Sequence, residues 1–173
     1  MLLPLKEKEL WDVYDADMNR HFGVSLVRGE KIPDGMYHLV CDVLVKHVDG
    51  TFLVMQRHKD KHLGGWWEAT AGGSALLGES PFECARRELA EETGIRTDSL
   101  TEVGRLVRPL FHTISVLYMT TVDVPKDSVR LQDGETTAYK WISEGELRDP
   151  ASRILGVVTK CVPDLGPIKQ RPF

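Results

Sequence analysis

The sequence predicts an α/β (α+β) fold, a sandwich of strands with two or three helices. Short runs rich in Val, Leu and Ile, bounded by turn residues, predict strands on both sides of one strongly marked helix. The size of the chain agrees, because 173 residues with 42% hydrophobic content suit one domain with one core. We therefore predict a single domain over residues 1–173.

Five strands are predicted before the helix. The first two surround a polar turn, Asp15–His21, and the third and fourth are joined by Val48-Asp49-Gly50, whose Asp-Gly pair favours a hairpin. A basic loop, Arg57–Gly65, precedes the fifth strand, which ends at Gly72-Gly73. In chain order the strands are Glu9–Tyr14, Gly23–Arg28, Tyr37–His47, Thr51–Gln56 and Trp67–Ala71.

The helix Ser80–Thr93 has a complete set of boundary signals. Ser80 is a favourable N-cap, Pro81 suits the first helical position, and Glu83 completes a capping box. Gly94 is a favourable stop. The elements predicted after it are the strands Thr101–Arg108, Thr113–Val124 and Ala138–Ile142, a short helix at Ser143–Leu147 and a further helix around Ser152–Cys161.

The composition limits the classes of function. The net charge of −4, with no long run of Lys or Arg, predicts no nucleic-acid polymer as partner. The three cysteines, Cys41, Cys84 and Cys161, are widely separated, so reduced thiols are expected. The N-terminal segment soon becomes charged and no long apolar run occurs, so we expect a soluble, cytoplasmic protein without a membrane partner.

Three carboxylates share one face of the predicted helix. Glu88, Glu91 and Glu92 lie at i, i+3 and i+4, where like charges repel. A bound Mg²⁺ or Mn²⁺ would offset this repulsion, because hard cations prefer oxygen ligands. Taken alone, a solvated acidic surface is the simpler interpretation. In either case these side chains are expected at the helix surface, away from the core.

The surrounding residues favour the metal site. From Gly73, the order is five residues, Glu79, seven residues, Arg87-Glu88-Leu89, one residue, Glu91-Glu92, one residue and Gly94-Ile95. These nine positions within 23 residues match the signature GX5EX7REUXEEXGU, where U is a bulky aliphatic residue. The chain thus resembles the Nudix hydrolases, over about residues 36–147, and the resemblance implies a mixed β-sheet sandwiched between helices. Residues 36–147 would form the core of the domain, with an N-terminal β-hairpin extension (1–35) and a C-terminal helix and tail (148–173). The resemblance implies the Nudix fold, with the signature as a loop-helix-loop, and Mg²⁺- or Mn²⁺-dependent cleavage of a diphosphate linkage in a nucleoside diphosphate derivative or similar small molecule.

The resemblance also implies roles for individual residues. Glu88, Glu91 and Glu92 would bind the metal together with the Gly72 carbonyl. Arg87 would orient the glutamates, with Glu79 in a supporting role. These residues form the predicted catalytic and metal-binding set.

Two further assignments are less specific. Glu135, six residues before Trp141, corresponds to an acid that some family members use, so it is a candidate fourth metal ligand or general base. An ordinary exposed loop residue is the alternative. Arg57, Lys59 and Lys61 are candidates for binding substrate phosphate, or simply a solvated basic loop.

Two other functions fit parts of the sequence. The N-terminal hairpin resembles the branch that includes isopentenyl-diphosphate isomerases, but the catalytic Cys of those enzymes falls on Gly72 and their metal-binding His on Ser74. A non-catalytic nucleotide-binding Nudix module is the other alternative, although such modules usually lack motif glutamates that are present here. The hairpin could also pair with a second subunit to form a homodimer, or it could cover its own sheet edge.

Overall fold

The computed structural model describes residues 8–149 and 154–155, which form a mixed β-sheet between two helices. The strands are β1 (Leu10–Tyr14), β2 (Arg20–Val27), β3 (His38–His47), β4 (Phe52–Arg57), β5 (Trp67–Glu68), β6 (Thr70–Ser74), β7 (Thr101–Arg108), β8 (Thr113–Val122), β9 (Thr136–Ile142) and β10 (Ile154–Leu155). The helices are α1 (Pro81–Thr93) and α2 (Glu144–Arg148). Short 3-10 turns occur at Pro109–Phe111 and Lys126–Ser128.

Strand β3 lies at the centre of the larger sheet. It runs parallel to β8 and antiparallel to β4 and β6, and the order across the sheet is β10-β5-β4-β3-β8-β7. Strand β6 also pairs with β3, and β9 pairs with β4. This arrangement of strands and helices confirms the predicted fold class.

Alternation along β3 places apolar side chains on both faces of the sheet. Cys41 and Val43 belong to the core cluster that contains Ala85 and Leu89 of α1. Leu44 belongs to a second cluster, on the other face, together with Phe52, Val54, Ile142 and Leu147. Helix α1 therefore covers one face, and the short α2 covers part of the other. Within the described part of the chain, no helix combines the length and apolar character needed to cross a membrane.

Helix α1 has the predicted boundaries. The Ser80 hydroxyl accepts a hydrogen bond from the Glu83 N–H (3.3 Å), and the Glu83 carboxylate accepts one from the Ser80 N–H (2.9 Å). At the other end, Gly94 adopts φ 74° and its N–H donates to the Ala90 carbonyl (3.0 Å). These caps satisfy terminal backbone groups that would otherwise lack partners.

The N-terminal extension is a separate two-stranded sheet, β1–β2, that packs on β3. Strand β2 begins at Arg20 rather than at the predicted Gly23, because the Asp15 carboxylate closes the turn early by accepting the N–H groups of Asp17 and Asn19 (2.9 Å each). The Trp11 ring stacks on His38 with 3.9 Å between centroids.

Two predicted elements differ from the structure. The predicted strand Trp67–Ala71 is two strands, β5 and β6, and β6 continues through both glycines to Ser74. Pairing with β3 extends β6 through Gly72 and Gly73. The two strands approach so closely that a Cβ at Gly72 would lie only 2.3 Å from the Cys41 carbonyl oxygen. The predicted helix around Ser152–Cys161 lies mostly outside the described residues, but Ile154–Leu155 form a strand parallel to β5.

Candidate active site

Arg87 of α1 forms hydrogen bonds to several residues of the site. Its guanidinium donates to both oxygens of Glu79 (2.8 and 2.9 Å) and to Glu88 (2.7 Å), and it lies 3.2 Å from Glu91. It also donates to the Ser74 carbonyl at the end of β6 (3.1 Å). A planar guanidinium with five N–H donors suits this shared role. Four of the residues singled out from the sequence therefore lie in one hydrogen-bonded network.

Glu92 lies deeper than expected. Only 7% of this residue is exposed, and its carboxylate accepts a hydrogen bond from the Gly72 N–H (3.0 Å). The expectation of a surface carboxylate was wrong for Glu92, because β6 packs against that side of the helix. Burial raises the pKa of Glu92 to about 8, and the charges of Glu68 and Glu88 act in the same direction.

In the metal-free protein, the free energy of unfolding is expected to decrease as the pH rises from about 5 to about 8. The ordinary pKa of the Glu92 carboxyl is 4.5, so over this interval the folded protein retains a proton that the unfolded chain has released. The stabilising contribution is complete below the unfolded pKa and is lost as the pH passes the folded pKa. Urea unfolding in EDTA across this range measures the effect.

The matched variant is Glu92→Gln, which cannot ionise and should show a weaker pH dependence. Some dependence of the same sign should remain, since burial raises the pKa of Asp42 to about 7. Equal pH dependence in the two proteins would contradict the assignment of the shift to Glu92.

Glu88 and Glu91 occupy different environments on the same helix. The Glu88 side chain is largely buried, and burial raises its pKa even though Arg87 opposes the shift. Its carboxylate lies over Gly73, where an added Cβ would be 2.5 Å from Oε1. The Glu91 side chain is 46% exposed. The acidic face of α1, formed by Glu88, Glu91 and Glu92, thus runs from the exposed Glu91 through the largely buried Glu88 to the buried Glu92.

The two glycines of β6 should respond differently to alanine substitution. Gly73→Ala should preserve the fold but lower kcat by about tenfold to a hundredfold, because the methyl group displaces the Glu88 carboxylate by an ångström or so. Gly72→Ala should destabilise the protein by about 1–3 kcal/mol, because its methyl group meets the Cys41 backbone, which cannot move aside. Thermal unfolding and steady-state kinetics of both variants test the distinction. The reverse pattern would contradict it.

Asp42 is a carboxylate near the site that was not selected from the sequence. It pairs in register with Gly72, and its Oδ1 would lie 2.8 Å from a Cβ at that position. Thr70 Oγ1 lies 3.4 Å from Oδ1, whereas the shielded Oδ2 has no protein partner. A single acid within the apolar strand HLVCDVLVKH was the available signal, but only the pairing of β3 with β6 places it beside the glycines.

Three of the candidate residues outside α1, Arg57, Lys61 and Glu135, form ion pairs. Lys61 and Glu135 form an ion pair that joins the basic loop to the loop before β9. Arg57 binds Glu68 (2.7 Å) and the His62 carbonyl (3.0 Å). Burial has the largest effect on the pKa of Glu92; the charge of Glu68 also raises this pKa and the charge of Lys61 lowers it, so these pairs lie near the deep end of the acidic face.

Lys59 is exposed, and the structure assigns it no role at the site. The backbone of Lys59 requires a glycine at position 64, because a Cβ at Gly64 would lie 2.3 Å from the Lys59 carbonyl oxygen.

The donor set suits a hard cation, although it is not arranged around one. Among residues 8–149 and 154–155, no three His, Cys, Asp or Glu side chains already converge as a ligand set. Glu88 and Glu91 face Arg87, and Glu92 faces a backbone N–H. Carboxylate oxygens are nevertheless the ligands that Mg²⁺ prefers, and Asp42 Oδ2 is buried without a partner. The chemistry of these oxygen donors therefore fits a divalent cation.

Comparison with known proteins agrees with this geometry. The NUDIX domain family matches residues 36–159. An uncharacterized Nudix hydrolase of Listeria monocytogenes is 33% identical over 143 residues, covering 80% of this chain and 82% of that protein. A putative 8-oxo-dGTP diphosphatase of Bacillus subtilis is 33% identical over 113 residues, covering 65% and 70%. The crystal structure of DR0079 from Deinococcus radiodurans shares the fold, with a TM-score of 0.67 and 16% identity over 81% of this chain and 86% of that one.

The mixed sheet and its carboxylate-rich loop-helix-loop are those of a Nudix domain, and this chain belongs to the Nudix family. It is a Nudix hydrolase, which confirms the resemblance stated from the motif. Enzymes of this family typically depend on a divalent metal.

Proposed function

We propose that this protein uses Mg²⁺ or Mn²⁺ to hydrolyse a diphosphate linkage in a nucleoside diphosphate derivative. The observation that carries the proposal is the acidic face of α1, where Arg87 holds Glu88 and Glu91 while Glu92 is buried against Gly72. A small nucleotide-type substrate accords with the family and with the diphosphatase named among the relatives.

Glu88, Glu91 and Glu92, with the Gly72 carbonyl, would hold the metal in this proposal. When bound, a divalent cation polarises phosphate oxygens and lowers the pKa of a water ligand. The buried position of Glu92 suits this role, because an unpaired carboxylate resists ionisation there and a cation would favour its charged form. Arg87 would then keep Glu88 and Glu91 oriented without joining the ligand set.

Glu135 and Glu88 are our candidates for the general base. Glu135 is half-exposed and paired with Lys61, so its oxygen would have to leave the ammonium group to accept a proton from water. Lys61 would then be released towards a substrate phosphate. Arg57 is more firmly held by Glu68 and by the His62 carbonyl, so it would act mainly through its charge.

The isomerase alternative is disfavoured by the chemistry of its key positions. Neither Gly72 nor Ser74 offers the thiol or the imidazole that the isomerases use. Within the described residues, Cys41 and Cys84 are both buried, and a hydrogen bond with Cys41, together with burial, raises the pKa of the Cys84 thiol. These thiols are poorly suited to transferring a proton to an alkene.

A substrate panel tests the proposed function. Purified protein is incubated with Mg²⁺ or Mn²⁺ and with nucleoside triphosphates including 8-oxo-dGTP, other nucleoside diphosphate derivatives, and isopentenyl diphosphate, and the products are separated. We expect metal-dependent cleavage of a diphosphate bond, abolished by EDTA. Rearrangement of isopentenyl diphosphate without cleavage would support an isomerase instead. Tight binding of a nucleotide without turnover would support a non-catalytic module.

A further inference from the structure

The N-terminal hairpin lies outside the matched domain, residues 36–159, yet it is hydrogen-bonded to the catalytic motif. The contact is made by loop 76–79, which joins β6 to α1. The Leu77 N–H donates to the Leu10 carbonyl (2.8 Å), and the Gly78 N–H donates to Asp12 Oδ2 (2.8 Å). Two consecutive backbone groups of the motif loop are thus bound by strand β1.

Asp12 is held firmly in this contact. The residue is 6% exposed, and its second oxygen, Oδ1, accepts a hydrogen bond from Arg20 (2.7 Å). A buried carboxylate is unfavourable unless its oxygens have partners. One oxygen binds strand β2 and the other binds the motif loop, so the position of the carboxylate determines where Gly78 lies.

The loop has little apolar anchoring where it meets the hairpin. Leu76 is 37% exposed and Leu77 is 48% exposed. The turn is closed by Glu79, whose N–H donates to the Leu76 carbonyl (2.9 Å) and whose carboxylate accepts the Leu76 N–H (2.9 Å). Gly78, at φ +84°, lies within this turn. These hydrogen bonds hold the turn and place Glu79, which in turn binds Arg87.

We propose that Asp12 is a positioning residue for the active site. Through the Gly78 N–H it holds loop 76–79, so that the Glu79 carboxylate aligns Arg87 with Glu88. The inference about the loop rests on the hydrogen bonds alone, whereas its consequence for catalysis rests on the proposed function.

The hairpin remains anchored to β3 by contacts that do not involve Asp12. The Trp11 ring stacks on His38, and Val13 is fully buried. Tyr14 and Tyr37 exchange two backbone hydrogen bonds (2.9 Å each). An Asp12 variant should therefore keep the hairpin docked while it loses its hydrogen bond to the motif loop and its ion pair with Arg20.

The test compares Asp12→Ala, Asp12→Asn and the control Glu30→Ala in the full chain. Glu30 is also a carboxylate of the N-terminal extension that forms an ion pair (Lys8, 2.6 Å), but no side-chain hydrogen bond to the motif loop is seen among the described contacts. We expect amide exchange at Leu77 and Gly78 to become about tenfold faster or more in Asp12→Ala, because a charge-assisted hydrogen bond is lost. Asp12→Asn keeps an accepting oxygen and should be intermediate, whereas Glu30→Ala should match the wild type.

Two further readouts connect the loop to the site. In Asp12→Ala, the Mn²⁺ affinity measured by calorimetry should weaken severalfold, with kcat reduced about tenfold and KM within about twofold. Unchanged amide exchange at Gly78 would overturn the proposal. A loss of activity that merely followed the folded fraction, with unchanged Mn²⁺ affinity, would also overturn it. The exchange and calorimetry need no substrate, so they decide the question even if the wild type cleaves nothing in the panel.

Discussion

Glu92→Gln is expected to lower kcat by about a hundredfold or more, since on the proposed function it removes a metal ligand and with it several kcal/mol of transition-state stabilisation. The substitution keeps the shape of the side chain and an oxygen that can accept the Gly72 N–H, but it removes the charge that a cation would require. Steady-state kinetics over a range of Mg²⁺ concentrations measure the loss. Saturating metal should not restore the rate.

The same variant should remain folded. Because burial raises the pKa of Glu92 to about 8, the metal-free protein at neutral pH holds this carboxyl mainly in its neutral form, which the amide resembles. Its unfolding midpoint in EDTA should therefore equal or exceed that of the wild type at pH 7. The control is Glu83→Gln on the first turn of the same helix, whose amide can still complete the capping box. Near wild-type turnover by Glu92→Gln would show that the metal site lies elsewhere.

Arg87→Ala is expected to reduce both activity and stability. The guanidinium binds Glu79 and Glu88, two largely buried carboxylates, and without it their charges are uncompensated. Removing one partner of a mostly buried ion pair should lower the free energy of unfolding by about 2–3 kcal/mol. The kcat should fall by about a hundredfold, because Glu88 and Glu91 lose the group that orients them.

Two variants isolate the role of the Arg87 network. Arg87→Lys keeps the charge but cannot form the forked contact with Glu79, so it should recover stability better than activity. Arg86→Ala is the positional control, because the adjacent side chain points outward and binds only the exposed Asp98 among the described contacts. Chemical denaturation and steady-state kinetics are measured for each protein. Equal losses for Arg86→Ala and Arg87→Ala would refute a specific role for Arg87.

Local sequence was sufficient to predict helix α1. Its caps at Ser80 and Gly94 depend on hydrogen bonds between residues three or four positions apart, and these were predicted correctly. The turn before β2 was less well predicted, because the Asp15 side chain competes for backbone groups and ends the turn early. The prediction of one strand at Trp67–Ala71 was wrong, because pairing with the distant strand β3 extends β6 through Gly72 and Gly73.

The depth of the site depended on contacts between distant segments. Glu92 looks like a surface residue on an isolated helix, and it becomes buried because β6 packs against α1. Lys61 and Glu135 are separated by 74 positions, so their pairing depends on how the basic loop and the loop before β9 meet. The spacing of residues along the chain cannot predict this ion pair, because burial and charge pairing depend on which elements pack together.

The sequence by itself determined the family, helix α1 and the identity of its carboxylates, because the nine motif positions lie within one continuous segment of the chain. Only the tertiary structure decided which carboxylate is buried, which acid lies opposite the glycines, and that β1 holds the motif loop through Asp12 and Gly78, 66 positions apart. The physical reason is that short-range hydrogen bonds and helical spacing act along the chain, whereas desolvation and strand register arise between segments that meet only in the folded protein.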